Sequence, residues 1–320
     1  MTEPTLATPP GRLRAGRLHG VLPLNKTAGM TSFAAVRQVR RLLAERRVGH
    51  AGTLDPAATG LLPICVGQAT RLVDYLHLQP KRYHCVVRLG VRSETLDTES
   101  EVVETGDASA LDQATVAAAL QRFVGEIEQV PPMHSAVRRE GRHLYELARE
   151  GREVEREPRL VSVLRAELLG FRPGRLAEAE LDVVCGKGTY MRVLAADLGE
   201  AVGTGGLLGW LERTGYGSLT LADAITVEQM AALDDPASAL LPPETAVAFM
   251  PRVDLAPPLA LQLRRGQAVW VPRLPDPRPQ GLCRAHGPEG DLLAVGELQG
   301  NLLRPVKVMA WGAAVPAGGW

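Results

Sequence analysis

The chain is poor in cysteine, poor in lysine and free of long apolar runs, and each shortage narrows what it can be. Its four cysteines, Cys65, Cys85, Cys185 and Cys283, are widely separated and form no CxxC pair. That spacing indicates neither a disulfide framework nor a zinc site, and it fits a reducing compartment. Nowhere do about 18 uncharged apolar residues run together, so no membrane-spanning helix is expected. The first residues, MTEPTLATPPGRLRAGRLHG, carry arginines but no apolar stretch of signal-peptide length, and read as a disordered leader over residues 1–18 of a cytoplasmic protein. GxxxxGK[ST] is absent, and the glycines of VGTGGLLGW miss the GxGxxG spacing by one position. Neither kind of nucleotide site is therefore indicated.

Net charge is missing as well: 36 Lys and Arg balance 36 Asp and Glu. The sum argues against a polyanionic partner, but the distribution reverses that argument. Residues 25–50 hold Lys26, Arg37, Arg40, Arg41, Arg46 and Arg47 against Glu45 alone, whereas residues 94–107 hold Glu94, Asp97, Glu99, Glu101, Glu104 and Asp107 without a cation. Only four of the 36 cations are lysines, namely Lys26, Lys81, Lys187 and Lys307. Three of them fall in the segments GVLPLNKTAG, KRYHCVVRLG and CGKGTY, a hint that an ammonium is preferred there over a guanidinium.

With 320 residues, 45% of them apolar and 22% charged, there is ample material for a core and more length than one core usually covers, so two domains are expected. GVLPLNK reads as a short strand, followed by a turn and by Thr31 or Ser32 as N-cap of a helix, FAAVRQVRRLLAERR. Its apolar face would carry Phe33, Val36, Val39 and Leu43, with arginines opposite and an end at Arg46 and Arg47. RYHCVVRLG alternates as a half-buried strand does. LDQATVAAALQRFVGEI (111–127) reads as an amphipathic helix, and AEAELDVVCGKGTYMRVLAADLGEAVG (177–203) as strand, Gly-Lys-Gly turn and helix. Residues 131–159 are densely charged with both signs, which suits a solvated helix hairpin or an exposed excursion that closes on a ligand. After a proline-rich connector near residue 240, short strands separated by Gly and Pro indicate a small all-β domain over 249–312, with a tail at 313–320.

One residue stands apart. In GHAGTLDPAATGLLPICVGQATRL (49–72), Asp55 is the only acid between Arg46 and Val73. One reading is structural: Asp followed by Pro caps a single helical turn, DPAATG, closed by Gly60. The other is chemical. Gly49, Gly52 and Gly60 allow close approach of a backbone or ligand, His50 lies just upstream, and the preceding basic helix should keep the carboxylate ionised, as a nucleophile must be.

The same segment closely resembles the catalytic motif of the TruB family of tRNA pseudouridine synthases, whose usual form begins GHTGTLDPLATG. The resemblance continues in order through LPLNKTAGMTS, KRYHCVVRLG, PPMHSAVRREGRHLYELAREGREV and CGKGTYMRVLAADLGE. It implies a mixed α/β catalytic domain over 19–248 around a largely antiparallel sheet. Within it, 131–159 would be an insertion that clasps RNA, and a small C-terminal PUA-like β-barrel would follow. It also implies isomerisation of uridine to pseudouridine in the T-loop of tRNA, at tRNA position 55. A monomer working on the T-arm with no cofactor, metal, guide RNA or protein partner would carry it out.

Residue by residue, the resemblance makes Asp55 the catalytic nucleophile, on C1′ of the sugar or on C6 of the uracil, after the base has been flipped out. Substrate-binding roles fall to the others. His50 would fill the gap left by the flipped base. Tyr83 would pack on the uracil and serve in proton transfer, Arg192 would pair with Asp55 and hold its pKa low, and Tyr190 and Leu211 would line the uracil pocket. Lys26 would support the catalytic loop or contact a phosphate. Ala51, Thr27, Arg138 and Glu212 depart from the usual family residues without removing a catalytic group. The alternatives are a non-catalytic RNA-binding or RNA-folding protein on the same surface, and a glycoside hydrolase. The latter needs a second carboxylate as acid, and the motif has none nearby. Removing residues 250–320 should weaken binding more than chemistry.

Overall fold

The computed structural model describes residues 18–310, apart from 136, 140 and 275–278; the expected leader before residue 18 and the tail lie outside the described residues. In chain order the first part comprises β1 (Gly20–Lys26), α1 (Ser32–Leu43), β2 (Val48–His50), β3 (Thr59–Val66), α2 (Val73–Leu76) and β4 (Lys81–Leu89), then the small pair β5 (Val91–Arg92) and β6 (Val103–Glu104). Next come α3 (Gln113–Gln121), β7 (Gly125–Gln129), the hairpin β8 (Arg138–Arg139) and β9 (Arg142–His143), and α4 (Leu144–Arg149). They lead into the long pair β10 (Arg159–Arg172) and β11 (Glu178–Cys185), then α5 (Met191–Ala201), β12 (Gly206–Tyr216), β13 (Leu219–Thr220) and α6 (Val227–Ala231).

These strands build a mixed α/β unit around one nine-stranded sheet with the order β1-β3-β12-β4-β11-β10-β7, β2 adding to β3 and β13 to β12. Its strand pairs are antiparallel except β3 with β12, which touch in parallel over only Thr59 and Gly60 opposite Glu212 and Arg213. Gly60 makes this short seam possible. Its φ is +95°, and a Cβ there would lie 2.4 Å from the Arg213 carbonyl oxygen. Gly60→Ala is therefore expected to cost several kcal/mol, since it adds a backbone clash to a left-handed residue worth about 1–2 kcal/mol alone; a thermal melt close to wild type would contradict this role.

Helix α1 starts at the Thr31 N-cap, whose side chain accepts from the Ala34 N–H at 3.0 Å. It differs from expectation in two ways. It ends at Leu43, where Ala44 turns left-handed (φ 49°), before Arg46 and Arg47. Its buried stripe is Ser32, Ala35, Val36, Val39 and Leu43, and Phe33, one position out of phase, is 60% exposed. The run 111–127 also divides. Its first half is α3, capped by Asp112, but Gly125–Gln129 leaves the helix to pair with β10 as an edge strand. Residues 131–159 form the hairpin and α4 rather than two helices.

The C-terminal part holds β14 (Arg252–Asp254), α7 (Pro257–Arg264), β15 (Val269–Trp270), β16 (Gly281–His286), β17 (Leu292–Gln299) and β18 (Leu302–Val308). Its sheet runs β14-β16-β17-β18-β15 and is PUA-like, with a helix that the all-β reading missed. It has its own core, but Leu292, Val295 and Met309 pack with Leu72, Tyr75, Ala246 and Val247 of the larger unit, and Lys307 Nζ lies 5.4 Å from the Tyr75 ring centre. Removing residues 250–320 would bare this apolar seam, so a lowered melting temperature is expected beside weaker RNA binding. Unchanged melting would show the seam to be dispensable.

Candidate active site

Asp55 sits on the loop between β2 and β3. It caps no helix: the turn is closed by the Ala58 N–H to the Asp55 carbonyl at 3.1 Å, and the carboxylate meets the Arg192 Nε at 3.0 Å. The cap reading therefore fails, and Gly60 serves the strand seam instead. Two buried side chains fix the loop from beneath. Ser32 Oγ donates to the Leu54 carbonyl (3.0 Å) and accepts from the Leu54 N–H (2.9 Å). Lys26, 1% exposed, donates its ammonium to the carbonyls of Thr27 (3.1 Å), Met30 (2.8 Å) and Pro56 (3.1 Å). Of its two expected roles, the buried ammonium with three carbonyl partners fits support of the loop. Burial brings its pKa down to about 8, with Asp55 opposing that fall. Ser32→Ala would leave the Leu54 backbone without a partner, at a cost of about 1–3 kcal/mol. We expect a matching loss of stability and a fall in single-turnover rate, whereas a rate unchanged at saturation would mean that the loop is held by other contacts.

Arg192 lies in the first turn of α5, where a cation is disfavoured by the helix dipole. Carboxylates and carbonyls hold it there. Besides Asp55 it faces Asp97 Oδ2 at 3.7 Å and donates to the carbonyls of Thr95 (3.1 Å) and His134 (2.7 Å). Asp97 is itself held by the Thr95 hydroxyl and the Glu99 N–H, on a loop that carries Leu96 at φ 62° and is pinned by the Leu208 N–H to the Leu96 carbonyl. Burial pushes the Asp55 carboxyl above the usual carboxylate range; Arg192 opposes this, and Asp97 adds to it. The expectation that Arg192 keeps the pKa low is thus corrected. Arg192 offsets part of a larger desolvation effect, and 39% of the Asp55 side chain stays open to the cleft.

Asp55, Tyr83, Tyr190, Arg192 and Leu211 line one cleft, brought together by the β3 loop, β4, the start of α5 and β12. Tyr190 is fixed by Gln129, whose Oε1 accepts from the Tyr190 N–H at 2.9 Å. Tyr83 is buried, and that burial raises its pKa. A phenol so placed keeps its proton at neutral pH and offers packing surface and a hydrogen-bond donor to the base. His50, on β2, is not part of the cleft lining. Burial and the nearby charges of Arg213 and His77 lower its pKa, leaving a neutral ring.

Arg213 was not anticipated, although it is 1% exposed and lies directly across from Tyr83 in the β4–β12 register. It donates to the carbonyls of Leu61 (2.6 Å) and Gly52 (2.8 Å), with its guanidinium 5.2 Å from the Tyr216 ring centre. Lys81, His77 and Lys187 complete that side of the cleft. The lysine count had marked Lys81 and Lys187, and only the fold reveals that they converge. Among the described residues no group of His, Cys, Asp or Glu is placed to hold a metal, and no helix is long and apolar enough to cross a membrane.

Residues 40–191 match the family description "TruB family pseudouridylate synthase (N terminal domain)". A tRNA pseudouridine synthase B of Symbiobacterium thermophilum is 49% identical over 257 residues, covering 80% of this chain and 85% of that protein. One from Saccharophagus degradans is 41% identical over 312 residues, 95% and 97% of the two chains. In fold, the chain is similar to one in a solved H/ACA ribonucleoprotein bound to a substrate RNA containing 2′-deoxyuridine, with a TM-score of 0.69, 24% identity and coverage of 92% and 86%. The carboxylate, guanidinium and tyrosines around the cleft thus lie within a sequence whose likeness extends over nearly its whole length, and the chain belongs to the TruB family of pseudouridine synthases.

Proposed function

We propose that the protein isomerises uridine to pseudouridine in the T-loop of tRNA, at tRNA position 55. It would act as a cytoplasmic monomer that needs no guide RNA or partner protein. The observation that carries this reading is the Asp55–Arg192 pair, a partly open carboxylate on the floor of a cleft walled by Tyr83, Tyr190 and Leu211. Uridine has to be flipped from the RNA to enter it. Asp55 then adds to the substrate, at C1′ or at C6; the N1–C1′ bond breaks, the uracil turns, C5 bonds to C1′, the bond to Asp55 breaks and frees the carboxylate, and the proton lost from C5 is matched by one taken up at N1. Atoms balance without oxidant or water. Arg192 keeps the carboxylate aimed and counters the burial that favours its neutral form, while Tyr83 and Leu211 offer apolar surface to the turning base.

Unmodified tRNA labelled with tritium at uracil C5 tests the reading. Release of label without free uracil is expected. Binding without release would leave an RNA-binding protein on this scaffold, and free uracil would indicate a glycoside hydrolase.

A further inference from the structure

The cleft is polarised. On one side Asp55 and Asp97 face Arg192. The other carries His77, Lys81, Lys187 and Arg213, and the ion pairs among the described residues leave these four without a carboxylate. Two acidic groups act on His77 and Lys81, namely Asp74 and the Cys185 thiol, and neither serves as a counter-ion. Asp74, whose charge reaches His77, has its carboxylate 3.4 Å from the Lys307 ammonium, in the C-terminal sheet. The Cys185 thiol is pushed up to about 11 by burial and is neutral. The cations press on one another: burial first, then Arg213 and Lys187, bring the Lys81 pKa down to about 8.

A buried cation without a counter-ion is costly. Arg213 meets part of that cost through two carbonyls and the Tyr216 ring, and Lys81 through the His77 carbonyl at 2.9 Å and the same ring at 4.8 Å. Neither is free to reach outward. Lys187 is. It stands exposed on the Gly186–Gly188 turn, where Gly188 takes φ +84°, and has no hydrogen-bond or ion-pair partner among the described residues. An anion entering the cleft would be drawn to this side and repelled from Asp55.

We propose that this basic side is the seat for the backbone phosphate next to the flipped uridine, with the Lys187 ammonium as its direct contact. Lys81 and Arg213 act from behind, setting the field. The phosphate is held away from the two carboxylates, so the sugar is oriented with its uracil beside Tyr83 and Leu211. Lys187 is then a positioning residue for the isomerisation proposed above, on which this inference rests.

The test is a cycle of variants on both partners. T-arm RNAs carry a neutral methylphosphonate on the 5′ or, separately, the 3′ side of the target uridine, and are compared with native RNA on wild type, Lys187→Met and Lys187→Arg. On native RNA, Lys187→Met is expected to weaken binding and raise KM roughly tenfold, the scale of one hydrogen bond to a charged group, with the saturating single-turnover rate within a few-fold. That penalty should vanish on one of the two neutral RNAs, and Lys187→Arg should recover most of it on native RNA. An equal penalty on native and both neutral RNAs would overturn the assignment, as would a wild type indifferent to both neutral linkages. Because the cycle is also read in Kd, which needs no turnover, absence of pseudouridine would count against the proposed function while the coupling still decides the phosphate seat.

Discussion

Asp55→Asn is expected to abolish turnover, lowering the single-turnover rate on unmodified tRNA by about 10⁴-fold or more, while tRNA affinity stays within a few-fold of wild type. The amide has nearly the same shape, and Arg192 keeps Asp97 as a neighbour at 3.7 Å, so the cleft should retain its form. What is lost is the anionic oxygen. Stability is expected to move the other way. Burial raises the Asp55 pKa in the folded protein, and an acid with a raised folded pKa contributes stability at low pH that disappears as pH rises through that pKa. At neutral pH the ionised carboxylate is therefore a cost that asparagine lacks, and the variant should melt no lower than wild type. Residual activity above a few per cent would sink the nucleophile role, and a sharply lowered melting temperature would show that the shape had not survived.

Arg192→Met should reduce the single-turnover rate by about 10²- to 10³-fold, the range for removal of one preorganised charge beside a reacting group, and should shift the acid limb of the pH profile. The sign follows from the site. Asp55 reacts as the carboxylate, burial favours the acid, and Arg192 is the largest influence favouring the anion, ahead of Lys26. Without Arg192 the pKa rises further, so the rate recovers only at higher pH. The variant also takes the guanidinium away from Asp97, whose side chain is 9% exposed and keeps the Thr95 hydroxyl and Glu99 N–H, and leaves the carbonyls of Thr95 and His134 without the Arg192 donor, a loss of about 3–5 kcal/mol, the scale for breaking a buried ion pair. Arg192→Lys keeps a charge but cannot span four acceptors; its acid limb should stay near that of wild type with a reduced rate. An acid limb unmoved in the methionine variant would mean that this pairing does not govern the protonation of Asp55.

How much of this was legible in the sequence depends on whether a residue's surroundings are local. The half-buried alternation of Tyr83, Cys85, Val87 and Leu89 is a property of the strand itself and is what β4 shows. The strand, turn and helix around Gly186–Gly188 came through for the same reason. Phe33 and the 111–127 run did not, because an apolar residue or a helical period leaves open which neighbour claims it: α1 turns Ala35 inward, and β10 recruits Gly125–Gln129 as an edge partner. At the site, Asp55 and Arg192 were legible through the family motifs. Asp97 was hidden in an acidic run that reads as a solvated surface, and it reaches Arg192 only because the Leu96 loop folds back onto β12. Arg213 looked like one arginine among many. Its burial follows from β12 lying between β3 and β4, a non-local fact that no spacing encodes.

Conversion of one tRNA uridine in this cleft through Asp55 is tested most directly by a nucleotide-resolution pseudouridine map. Unmodified tRNA would be incubated with wild type and, in parallel, with Asp55→Asn under conditions where both are shown to bind. One new pseudouridine, in the T-loop at tRNA position 55, is expected with wild type and none with Asp55→Asn. A wild-type map with no such product, or the same product from Asp55→Asn, would contradict that conversion.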